Sequence, residues 1–99
     1  MNALAPARPE ERERPVTIVN AKGLHARASA KFVSVAEQWD ADISVAYGEE
    51  TVPACSIMGL MMLGAGAGAT ITLRATGEQA EEALSALATL VESGFGEGE

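Results

Sequence analysis

The spacing of apolar residues changes repeatedly along this chain, and that change restricts what it can fold into. Ile43, Val45 and Tyr47 alternate with Asp42, Ser44 and Ala46, the two-residue period of a strand with one buried face. Ala80, Ala83, Leu84, Leu87, Leu90 and Val91 instead recur at helical spacing, with Glu81, Ser85 and Glu92 opposite. Elements that are apolar on a single side must bury that side against another layer.

The remaining segments fit the same scheme. Val16–Val19 is β-branched throughout and reads as a first strand, followed by a loop from Asn20 to Leu24 with Gly23 as its flexible point. A helix is predicted from Ala26 to about Trp39. Arg27, Lys31, Ser34 and Gln38 share a narrow stripe of it, and Phe32 and Trp39 fall among its core residues. Gly48-Glu49-Glu50 is a turn, and Thr51-Val52 opens a short strand that Pro53 confines to an edge or an end. Ser56 can cap a helix over Ile57–Leu63 that stops at the glycines of GAGAG. Ala69–Ala75 alternates again, and Thr76 to Gln79 has the spacing of a capping box. The order strand–helix–strand–strand–helix–strand–helix implies one sheet covered by helices on one side.

With 99 residues, a single domain accounts for the chain. We assign residues 1–14 to a disordered tail, 15–95 to the domain and 96–99 to a flexible tail, with FGEGE as a frayed end after Gly94. Aromatic residues are only 4%, so Ala, Val, Leu, Ile and Met must build the core. One cysteine, Cys55, leaves no internal disulfide or cysteine-rich metal site and reads as a small, partly buried residue. The N-terminus lacks the apolar stretch of a signal peptide. The apolar run IMGLMMLGAGAGA has 13 residues, too short and glycine-rich to span a bilayer. These features predict a soluble, cytoplasmic protein with no membrane insertion.

The net charge of −7 argues against nucleic-acid binding. Its distribution is uneven. Arg14, Lys22, Arg27 and Lys31 fall in a stretch with no acidic residue, whereas eleven acidic residues and only Arg74 follow from Phe32 onward. The sole histidine, His25, lies in that positive stretch, at the expected start of the first helix.

A helix N-terminus offers unpaired N–H groups and a positive dipole end, so an anion is stabilised there. Backbone groups of Ala26 and Arg27 would meet it, and the Arg27 guanidinium can add charge-assisted donors. A neutral imidazole at that place can attack phosphorus and carry a phosphoryl group covalently. The plainer alternative is a loop or cap histidine without chemistry, with Arg27 and Lys31 on a solvated face. Other enzyme classes lack parts. No second histidine completes a metal site, and GAGAG has no Lys-Ser/Thr behind it to make a phosphate-binding nucleotide loop.

GLHAR before an Ala/Ser-rich helix, then SIMGLMML, a glycine loop and a final amphipathic helix, resembles HPr, the histidine-containing phosphocarrier family of the bacterial phosphoenolpyruvate-dependent phosphotransferase system. The resemblance covers residues 15–95. It implies an α+β open-faced sandwich, four antiparallel strands covered on one face by three helices. It also implies that His25 accepts phosphate on Nδ1 from enzyme I and passes it to a IIA domain. The protein is then a phosphorylated intermediate without independent turnover, needs no cofactor and works as a monomer. Arg27 matches the family arginine beside the histidine. Ala28 stands where the family usually has proline, which a first helical turn tolerates.

Ser56 matches the serine that an ATP-dependent HPr kinase/phosphorylase modifies in part of the family, with Cys55 where a lysine commonly precedes it. Capping alone also explains Ser56. Lys22, Leu24, Lys31, Ile57, Met58 and Met61 are the expected partner contacts, the methionines suiting a surface that meets several partners. A second reading keeps the fold and the phosphorylation but makes the protein a regulator reporting metabolic or nitrogen status without sugar transport.

Overall fold

The computed structural model describes residues 11–97. Its elements are β1 (Arg12–Thr17), α1 (Ala26–Ala36), β2 (Asp42–Tyr47), β3 (Glu50–Pro53), α2 (Ile57–Met62), β4 (Thr70–Thr76) and α3 (Ala80–Glu92), then a 3-10 turn over Gly94–Gly96. The strands form one sheet in the order β1-β4-β2-β3, every neighbouring pair antiparallel. With the three helices this is the open-faced sandwich that the element order implies.

Alternation decides which face is covered. Ile71, Leu73 and Ala75 of β4 are buried, and their intervening neighbours are more accessible. Register carries the buried row across the sheet: Val16 lies opposite Ile71, and Val45 lies opposite both Leu73 and Val52. Phe32 of α1, Leu60 of α2 and Leu84, Leu87 and Val91 of α3 close the core over that row.

Several expectations need correction. The first strand begins at Arg12, inside the segment assigned to a tail, and ends at Thr17. Its polarity is that of an edge strand: Glu13 pairs across the ladder with Arg74 at 3.6 Å, and Arg12 reaches Glu81 on α3 at 3.2 Å. Proline at 15 and 53 falls on the two edge strands, where a missing donor costs least. The reading of residues 1–10, 98 and 99 as tail lies outside the described residues.

The first helix stops at Ala36, and Trp39 is only partly buried beyond it. The capping box at Thr76–Gln79 does not form. Thr76 closes β4, and Gln79 turns its side chain to the Asp40 N–H at 2.8 Å, joining the start of α3 to the turn before β2. Cys55 is exposed rather than partly buried. FGEGE is not frayed over its described part: Phe95 is 1% exposed, in the core.

Candidate functional site

His25 is the N-cap of α1, with extended backbone and no side-chain capping bond. The segment before it is fastened to the glycine loop after α2. Gly23 has φ +62, and a Cβ there would lie 2.5 Å from the Ala65 carbonyl oxygen. Leu24 N–H donates to that same oxygen at 3.1 Å. Behind it, buried Ser29 donates from Oγ to the Leu24 carbonyl at 3.1 Å, and its N–H closes the first helical turn on the His25 carbonyl at 2.8 Å. The imidazole thus stands on a backbone fixed from two sides. Its ring remains partly exposed.

Around it lies a depression of about 750 Å³ lined by Lys22, His25, Ala26, Arg27, Lys31 and Glu97, among others. Arg27 and Lys22 are exposed at its rim. Lys31 is turned inward, Nζ donating to the Phe95 carbonyl at 2.7 Å. Ala26 and Arg27, in the first turn of α1, line this depression, and the positive end of the helix dipole there favours negative charge. A slightly larger hollow elsewhere has no histidine or basic residue in its lining. It measures about 800 Å³, lies between α1 and α3 and is lined mainly by Trp39, Leu90 and the polar outer residues of those helices.

Glu97 is the member of the site that sequence reading missed. Its Oε2 is 2.6 Å from His25 Nε2, and its Oε1 accepts from Asn20 Nδ2 at 3.3 Å. The His25 hydrogen bond, foremost, holds its carboxyl below the usual value of 4.5; Asn20 and the charges of His25 and Lys31 add to this, and partial burial opposes it. An ionised carboxylate only accepts, so Nε2 is the donor and carries the ring proton. In the neutral ring held this way, Nδ1 is the nitrogen with the lone pair. The missed signal was Phe95, an isolated aromatic after a helix-ending glycine. An apolar residue at that spacing can anchor the segment beyond it.

Ser56 caps α2, its Oγ accepting from the Gly59 N–H at 2.9 Å. Ile57, Met58, Met61 and Met62 are all exposed, and Met62, which was not among the expected contacts, is the most so at 74%. Leu24 is a correction: it is buried, its side chain in the core, and cannot meet a partner. Ala28 is fully buried in the first turn of α1, so the usual proline's place is a packing position against the core.

The family described as "PTS HPr component phosphorylation site" matches residues 12–93. A phosphocarrier protein NPr of Shewanella violacea is 47% identical over 85 residues, covering 86% of this chain and 93% of that protein. A phosphocarrier protein HPr of Cupriavidus necator is 46% identical over 87 residues, covering 88% of this chain and 98% of its own length. Among solved structures, HPr of Thermoanaerobacter tengcongensis superposes with a TM-score of 0.84 at 43% identity, covering 89% of this chain and 99% of that one. The fold, the histidine at a helix start and these likenesses agree: the chain belongs to the HPr family of phosphotransferase-system phosphocarriers.

Proposed function

We propose that His25 accepts a phosphoryl group on Nδ1 from phosphorylated enzyme I and passes it to a IIA-type domain. The observation that carries this reading is the setting of His25: an uncapped helix N-terminus, with Lys22, Arg27 and Lys31 around one depression. A phosphoryl group on the ring gains roughly −1.5 to −2 charges, which the first-turn N–H groups and the Arg27 guanidinium stabilise. Arg27 therefore holds phosphate in both the incoming and the outgoing step.

Docking falls to the exposed apolar face of α2, through Ile57, Met58 and Met61 with Met62 added, flanked by Lys22 and, at the site's edge, Lys31. A basic and apolar face in a protein of net charge −7 selects acidic partner surfaces. Phosphorylation of Ser56 by an HPr kinase/phosphorylase would put negative charge at the start of that docking helix and repel such partners. The protein works in this scheme as a cytoplasmic monomer. Among the described residues no helix is long and apolar enough to cross a membrane.

Incubation with enzyme I, magnesium and phosphoenolpyruvate tests the reading. The protein gains the mass of one acid-labile phosphoryl group, and His25→Ala does not. No gain with an active enzyme I refutes it.

A further inference from the structure

We propose that Glu97 is a positioning residue for phosphoryl transfer: its carboxylate holds the His25 ring and keeps the proton on Nε2, so that Nδ1 presents its lone pair to phosphorus. This rests on the phosphocarrier reading above and adds to it a residue 72 positions away in the chain.

Both carboxylate oxygens are engaged. Oε2 faces His25 Nε2 at 2.6 Å, a short charge-assisted distance, and Oε1 is held by Asn20 Nδ2 at 3.3 Å. Asn20 is itself buried and donates from the same nitrogen to the Gly23 carbonyl at 2.9 Å, tying the carboxylate to the loop that carries His25. The segment bearing Glu97 is anchored twice more. Phe95 is in the core, and Lys31 Nζ binds the Phe95 carbonyl at 2.7 Å. The Glu97 side chain is only 15% exposed. A group so fixed can orient an imidazole, because little of its freedom remains to be lost on binding.

The chemistry balances without a further reagent. The Nδ1 lone pair forms the new N–P bond as the donor's bond to phosphorus breaks, and the donor keeps that electron pair. Nε2 retains its proton, so the ring becomes cationic, and the Glu97 carboxylate faces that new charge directly. The same division of labour, one ring nitrogen reacting and the other held by a carboxylate, underlies the catalytic histidines of acyl-transfer triads. Glu97 engages Nε2 rather than the cations Lys22 and Arg27, which line the same depression.

Glu97→Ala and Glu97→Gln test the proposal with two readouts. In proton NMR the wild-type Nε2–H gives a downfield, slowly exchanging resonance. It is weakened in Glu97→Gln, which keeps an acceptor but not the charge, and lost in Glu97→Ala. The rate of phosphoryl uptake from enzyme I falls in the same order, by about tenfold in Glu97→Ala, the lower end of what is lost when the carboxylate behind a metal-bound histidine is removed. An unchanged resonance and rate overturn the proposal. So does a faster rate in Glu97→Ala, which would make the contact a block on the site. If the wild type takes up no phosphate, the carrier reading fails on its own, and the resonance still decides whether the contact exists.

Discussion

Truncating Phe95 to alanine tests the part of the structure on which the site's second half depends. Phe95 is 1% exposed and lies in the main core cluster, yet its backbone is left-handed, with φ +60. That conformation costs a residue with a side chain about 1–2 kcal/mol. Burying a phenylalanine side chain contributes about 1.5–3 kcal/mol by area, and removing one from a packed core costs about 3–5 kcal/mol once the cavity is included. Burial therefore outweighs the backbone cost, which explains how an aromatic occupies a glycine-like position. Phe95→Ala loses the burial and keeps the strained φ, so unfolding in urea shows a loss of about 3–5 kcal/mol, and thermal melting falls by at least about 12 °C. Phe95→Gly loses the same side chain but relieves the backbone. It should be more stable than Phe95→Ala by about 1 kcal/mol, the reverse of the usual order in regular structure. A loss below about 1 kcal/mol in Phe95→Ala, or a glycine variant weaker than the alanine one, refutes the docked, left-handed Phe95. Phe95→Leu, which keeps most of the volume, costs less than about 1.5 kcal/mol and supplies a folded reference.

Two further outcomes follow from the same geometry. Gly23→Ala combines φ +62 with a Cβ 2.5 Å from the Ala65 oxygen, so chemical denaturation should show a loss above about 2 kcal/mol; a neutral result would mean that the His25 loop is not seated on the glycine loop. Glu97 is held below its ordinary value of 4.5 in the folded protein, so its contribution to stability is present above that value and is lost as pH falls through the depressed one. Melting temperatures of wild type and Glu97→Gln should differ at neutral pH and converge in acid once the pH falls below the depressed value, and a constant difference would refute an ionised, bonded Glu97.

Period and punctuation carried most of the fold. β2, β4 and α3 lie where two-residue alternation and the helical stripe put them, because burial on one side is a local property of the pattern. β1 was less readable. Arg12 to Arg14 look like a solvated tail, and only the partner strand β4 makes them a paired edge. The capping box at Thr76 failed for a similar reason: Gln79 has a competing backbone partner, the Asp40 N–H, 39 positions away. Leu24 neighbours His25 in sequence, but its N–H bonds the Ala65 carbonyl and its side chain lies in the core.

The placement of His25 and Arg27 at a helix start was readable because the chain announces that start locally. Glu97 was not, and the reason is physical rather than statistical. In sequence it is one of eleven acids after Phe32, in a stretch of glycine and glutamate with no periodicity. What sets it apart is the docking of Phe95, which takes a left-handed backbone and places its ring in the core that residues of α1 and α3 share. The site is thus assembled from segments around residues 20–31, 65 and 95–97, and its electrostatics depend on that assembly. A carboxylate placed freely within the Lys22–Arg27–Lys31 zone would compete with phosphate for those cations. Bonded on one oxygen to Asn20 and on the other to Nε2, it is kept to the far edge of the ring. In the proposed transfer, the fold would thus keep the side of the ring that receives phosphate positive while setting one negative charge beside the nitrogen that retains its proton.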